Sequence, residues 1–209
     1  MAAEFLHIHP ETPEPRKIKQ VVECLKDGGI IIYPTDTLYA MGCDIHQLRA
    51  VERLCQIKGI KPQKNSFSII CHDLSHIADY ARVSNSAFKL MKKALPGPFT
   101  FILPATNHLP KVLQTNRKNI GIRVPNNPIS LEIVKELGNP IITTTVKDDS
   151  DDFSSYPDDI EIIYDQNKHL VDIVIEGGWG GITPSTVVDA TNDDFDIIRE
   201  GLGDLSQFL

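Results

Sequence analysis

Four residues, Ile30-Ile31-Ile32-Tyr33, run apolar and mostly β-branched into Pro34, and that junction constrains the chain more than any other stretch in it. β-Branched and aromatic side chains favour extended backbone, and an unbroken apolar run suits a strand buried on both faces. Proline lacks the N–H that a strand ladder needs, so the strand ends there. Thr35, Asp36 and Thr37 then arrive at its carboxyl end, before a small-residue turn. In open α/β sheets ligands bind at that edge. Thr35 and Asp36 equally suit a turn in which they bond their own backbone.

Helical and extended patterns alternate along the remainder. Ile18, Val21, Val22 and Leu25 fall at helical spacing and Gly28-Gly29 supplies a stop. Leu48, Val51, Leu54 and Cys55 predict a second amphipathic helix ending near Gly59, and Ser84 is placed to cap a helix reaching Ala94. Asn127-Pro128 is a strong helix start, with Gly138 as the stop. Strands are expected over 67–71, 99–103, 120–124, 140–145, 171–175, 186–189 and 196–199. The acidic stretch 147–159 reads as a mobile loop, with a helix from Pro157 through Tyr164. This alternation predicts one α/β domain over 11–202, built on a twisted, mixed, open sheet flanked by helices.

A chain of 209 residues can bury a sizeable core. No apolar run approaches the ~20 residues of a membrane span, and MAAEFLHIHPE lacks the basic start and apolar core of a secretory signal. The expected location is the cytoplasm, away from membranes. Cys24, Cys43, Cys55 and Cys71 are widely spaced, and with His46 and His72 they match no common zinc pattern. They read as small apolar fillers, with no bound metal expected. The net charge of −7 means that any RNA contact must come from a local patch. Arg117 and Lys118, beside Lys111 and Arg123, form the best such cluster, and Lys58, Lys61 and Lys64 form a second.

Chemistry-bearing residues gather at strand ends. Hydroxyls stand at Thr35 and Thr37, at 143–145 and at Ser185-Thr186, and arginines at Arg123 and Arg199. Arg123 lies inside the apolar stretch IGIRVP, so burying it requires an anionic partner, either an internal carboxylate or a bound phosphate or carboxylate. Hydroxyls combined with guanidiniums suit a nucleotide or another polyanion. No G-x-x-x-x-G-K-[ST] loop is present, which excludes a P-loop binder. Gly177-Gly178-Trp179-Gly180-Gly181 is glycine-rich but has no helix pattern behind it, so it is a flexible turn or a close backbone approach to phosphate. No Ser/His/Asp order and no carboxylate pair argues for hydrolysis.

YPTDTLYAMGC, KALPGPFTFIL, IGIRVPNNP, NPIITTT, TPSTVVD and IIREG occur in the order found in the YrdC/YciO family, which the chain resembles from about Glu11 to its end. The opening FLHIHPETPE and the ending REGLGDLSQFL resemble the YciO-type subgroup. The family includes the threonylcarbamoyl-adenylate synthases of tRNA modification, nucleotidyltransferases that join threonine, bicarbonate and ATP into an acyl-adenylate with release of pyrophosphate. The resemblance implies ATP with Mg²⁺ and a small amino acid as substrates. It places Thr35 at the amino-acid site and Lys58, Arg123, Thr143, Thr145, Ser185 and Arg199 at the nucleotide site. Two motifs depart from the synthases. Their K-x-R aligns with Lys58-Gly59-Ile60-Lys61, so either Lys58 keeps the lysine role with Ile60 replacing arginine, or a shift gives Lys61 the arginine role. Their S-x-N is here Thr145-Val146-Lys147. The alternative implied by the same resemblance is a paralogue that binds double-stranded RNA or tRNA without synthesis, through Arg117 and Lys118.

Overall fold

Successive side chains of a strand point to opposite faces of its sheet, and strand β2 (Ile30–Tyr33) shows why all four of its residues must be apolar. Ile30 and Ile32 enter one core, while Ile31 and Tyr33 enter the other. The computed structural model describes residues 2–59, 67–107, 109, 119–146, 159–178 and 180–208. Around β2 it sets β1 (Glu4–His7), β3 (Ala40–Asp44), β4 (Ser68–Ile70), β5 (Phe99–Pro104), β6 (Asn119–Arg123), β7 (Ile141–Thr145), β8 (Ile173–Glu176), β9 (Thr186–Asp189) and β10 (Asp196–Arg199). They form one ten-stranded sheet in the order β1-β8-β2-β3-β7-β4-β6-β5-β9-β10. Pairings of β1 and β2 with β8, β4 with β6 and β5 with β9 are parallel and the others antiparallel, so the sheet is mixed and open as expected.

The helices are α1 (Pro15–Lys26), α2 (Leu48–Ile57), α3 (Ile77–Tyr80), α4 (Asn85–Ala94), α5 (Pro128–Leu137) and α6 (Ile160–Asn167). Ser84 accepts from the Ala87 N–H and Asn127 from the Ser130 N–H, each cap contributing about 1 kcal/mol. Gly138 ends α5 at φ +81°. The residues carrying α1 and α5 onto the sheet, Ile18, Val21, Val22 and Leu25 with Ile129, Ile133 and Leu137, meet Ile31, Tyr33, Ile70, Ile141, Ile173 and Ile175. The opposite face is covered by α2, α3, α4 and α6 through Val51, Leu54, Ile77, Leu90, Met91 and Ile163.

Several elements differ from the sequence expectation. The small-residue turn after Thr37 is in fact β3, every residue of it buried, pairing with β2 and β7. Small side chains are tolerated there because neighbouring strands fill the space. The strand expected over 67–71 is confined to Ser68–Ile70, and that over 171–175 runs Ile173–Glu176. Helix α6 continues past Tyr164 to Asn167; its expected start at Pro157 and the loop over 147–158 lie outside the described residues. Residues ahead of Glu11 add β1 to the sheet edge. The cysteines are packed as apolar fillers: burial pushes Cys43 and Cys71 up to about 12, and Cys55 upward. No helix among the described residues is long and apolar enough to cross a membrane.

Candidate functional site

Helices α1 and α5 cover only part of their face of the sheet. Beyond them the register carries a row of small and polar residues across it: Gly42 on β3 faces Thr143 on β7, Thr143 faces Ser68 on β4, Ser68 faces Gly121 on β6, and Gly121 faces Ile102 on β5. Thr100, two residues before Ile102, shares its face and pairs with Val187 of β9. This row floors a cavity of about 410 Å³, within the range of small-molecule sites. The floor lies close because Gly121 has no side chain: a Cβ there would overlap Ser68 Oγ and press on Thr100 Cγ2 at 3.1 Å.

Of the residues singled out in the sequence, Arg123, Thr143, Thr145, Ser185 and Arg199 all line this cavity. Four segments, the ends of β6, β7 and β10 and the entry to β9, bring them together. Ser185 Oγ lies 2.9 Å from Thr100 Oγ1. Arg199 Nη2 donates to the Ser185 carbonyl at 2.8 Å, which holds β10 against the entry to β9.

Arg123 is the centre of the wall. It is 9% exposed. Its Nη2 donates to Asp36 Oδ1 and Thr37 Oγ1, each at 2.5 Å, and to Thr35 Oγ1 at 3.2 Å. The anionic partner required by IGIRVP is therefore the internal carboxylate of Asp36. Its Nε is sealed from solvent and finds no hydrogen-bond acceptor among the described residues. Asp36 Oδ2 accepts from the Asn126 N–H at 3.0 Å, so this ion pair also ties the loop after β2 to the loop after β6.

Thr35 and Lys58 stand apart from the cavity lining. The Thr35 hydroxyl donates to the Leu38 carbonyl at 2.7 Å and accepts from the Thr37 N–H at 3.1 Å, the bonding of a turn residue beneath the site. Lys58 follows α2, and its Nζ donates to the Val146 carbonyl at 3.4 Å, just past the end of β7. Arg117 and Lys118, the basic pair proposed for RNA, lie outside the described residues, as do Ile60, Lys61 and Lys147. Gly177 and Gly178 pack on Tyr39, whose hydroxyl donates to the Gly178 carbonyl at 2.7 Å; burial raises that phenol to about 12.

Sequence reasoning passed over Ser68, Thr100 and Gly121. The signal was present as alternation: in F-T-F-I-L and N-I-G-I-R, Phe99, Phe101, Leu103, Ile120 and Ile122 take one face, leaving Thr100, Ile102, Gly121 and Arg123 on the other.

The sequence model of the Sua5/YciO/YrdC family, described as "Telomere recombination", matches residues 23–201. Uncharacterized protein YciO of Escherichia coli (strain K12) is 43% identical over 208 residues, 99% of this chain and 100% of that protein. The crystal structure of E. coli YciO superposes with a TM-score of 0.91 at 42% identity, covering 99% of this chain and 100% of that one. Threonylcarbamoyl-AMP synthase of Vibrio vulnificus (strain YJ016) is 25% identical over 190 residues, 88% of this chain and 98% of that protein. P. abyssi Sua5, in a crystal structure complexed with L-threonine, shares the fold, with a TM-score of 0.85 and 24% identity over 94% of this chain and 57% of that one.

Proposed function

Because the chain belongs to the Sua5/YciO/YrdC family, we propose that its cavity binds ATP with Mg²⁺ beside a small amino acid and supports formation of an acyl-adenylate, as the name of the Vibrio vulnificus relative states for that protein. The observation that carries the reading is convergence: two guanidiniums, Arg123 and Arg199, and the hydroxyl residues Thr143, Thr145 and Ser185 line one cavity of about 410 Å³. Guanidiniums and hydroxyls set around one cavity suit an oxyanion such as a phosphate.

The chemistry asks little of the protein beyond position and charge. Threonine nitrogen adds to bicarbonate with loss of water, giving a carbamate. A carbamate oxygen then bonds to the α-phosphorus of ATP while the bond to the β-phosphate breaks and pyrophosphate leaves. Negative charge builds on phosphoryl oxygens, and fixed donors that require no reorganisation lower that barrier. In this reading Thr143, Thr145 and Ser185 offer hydroxyl donors, and Arg123 and Arg199 offer guanidiniums. Thr35, held as a turn residue, shapes the wall beneath the amino acid.

The test is incubation of the protein with ATP, Mg²⁺, threonine and bicarbonate, with pyrophosphate and the acyl-adenylate as readouts. Both products are expected in equal amounts, dependent on threonine and bicarbonate. Absence of both above background at saturating substrate overturns the reading.

A further inference from the structure

Tyr33 reaches across an entire strand. It sits on β2 opposite Ala40 of β3, yet its hydroxyl donates to Thr143 Oγ1 on β7, the strand beyond, at 2.9 Å. The crossing passes over Gly42, which pairs with Ile31 on one side and Thr143 on the other. A Cβ at Gly42 would stand 3.2 Å from Tyr33 Cε1 and 2.5 Å from the Ile142 carbonyl oxygen, so no other residue leaves the path open.

The polarity of this bond has a consequence for the cavity. Tyr33 is fully buried, and burial pushes its phenol above its ordinary value, so the proton stays on. A buried O–H requires an acceptor, and the one Tyr33 has is Thr143 Oγ1. A threonine hydroxyl carries one proton and two lone pairs. With Tyr33 occupying a lone pair from behind, the Thr143 proton is turned toward the cavity that Thr143 lines. We infer that Tyr33 is a positioning residue that turns the Thr143 proton into the cavity, so that Thr143 offers a hydrogen bond to an acceptor oxygen of a phosphate or carbonyl. The identity of that oxygen rests on the nucleotide reading above; the polarity of the Tyr33–Thr143 bond does not.

Two measurements test it. The first needs no ligand. Thr143→Val removes the acceptor and strands the buried Tyr33 O–H, so its melting temperature is expected to fall by several degrees. Tyr33→Phe alone should cost much less, and adding it to Thr143→Val should recover most of the loss. Failure of the double variant to recover stability overturns the assigned polarity. The second is calorimetric titration with MgATP. Tyr33→Phe and Thr143→Val should each weaken binding by roughly threefold to tenfold, the scale of one hydrogen bond. The double variant should be no weaker than Thr143→Val, and Thr143→Ser should lose less than Thr143→Val. Wild-type affinity in Tyr33→Phe, or an equal further loss on the Thr143→Val background, overturns the positioning role. If the wild-type protein binds no MgATP, the nucleotide reading fails, and the melting comparison still decides the Tyr33–Thr143 bond.

Discussion

Arg123 and Asp36 belong to different loop-and-strand junctions, 87 residues apart in sequence, and meet at 2.5 Å with side chains that are 11% and 10% exposed. Removing one member of such a buried pair strands the charge of the other, a loss of about 3–5 kcal/mol. Arg123→Ala is therefore expected to lower stability on that scale in denaturant titrations, and Arg123→Ala with Asp36→Ala should recover part of it. Nucleotide affinity, measured on the folded fraction, should fall in both variants because both remove the Arg123 guanidinium from the cavity lining.

Gly121 leaves the room in which the Ser68 and Thr100 side chains of the cavity lining sit. Gly121→Ala would drive a methyl into Ser68 Oγ and Thr100 Cγ2, and overpacking of this kind costs about 1–3 kcal/mol. The expected outcome is a modest fall in melting temperature with a disproportionate loss of MgATP binding by calorimetry. A companion Ser68→Gly substitution, which makes room beneath the methyl, should restore stability more than affinity.

The N-terminal approach to α1 is pH-sensitive. The Lys17 ammonium donates to Glu14 Oε1 at 2.5 Å and the His9 N–H to Oε2 at 3.0 Å. With the Lys17 bond as the largest cause, they lower the Glu14 carboxyl from 4.5 to about 2. A depressed folded-state value means that this contribution is present above about 4.5 and is lost as pH falls toward about 2. Melting curves of the wild type and Glu14→Gln should therefore differ at neutral pH and converge over that acid window. The difference should be small and reduced by salt, because the group is exposed.

Thiol chemistry should be slow in the native state. Burial raises Cys43 and Cys71 to about 12 and Cys24 to about 11, and the thiolate is the reactive form. At pH 8 an aromatic disulfide reagent is expected to label Cys24 first, since it alone of the four is partly exposed. All four should react promptly in denaturant.

The sheet was legible in the sequence wherever residues alternate or run apolar between turn residues. Thus β2, β5, β6, β7 and β9 and the caps at Ser84 and Asn127 fall where local patterns put them. Strand β3 was not, because Ala40-Met41-Gly42-Cys43-Asp44 has neither β-branching nor alternation. Its extended state comes from pairing on both sides, a tertiary effect that overrides propensity. Within the site, Arg123 was legible as a buried charge needing a partner, and Asp36 was on view beside Thr35 and Thr37. Their pairing was not, since nothing local links residues on β6 to the loop after β2. Thr100 and Ser68 were obscured by the ordinariness of hydroxyl residues in strands.

A sheet face sheltered by α1 and α5 over one half and lined by cavity residues over the other divides the burdens placed on a sequence. Substitutions under α1 and α5 decide how much folded protein a cell accumulates. Those at Ser68, Thr100, Thr143 and Ser185 fall on the cavity lining and are expected to change what the cavity can hold. A saturation library scored separately for abundance and for ligand capture would resolve into two territories, with Tyr33 and Gly42 at the frontier, registering in both.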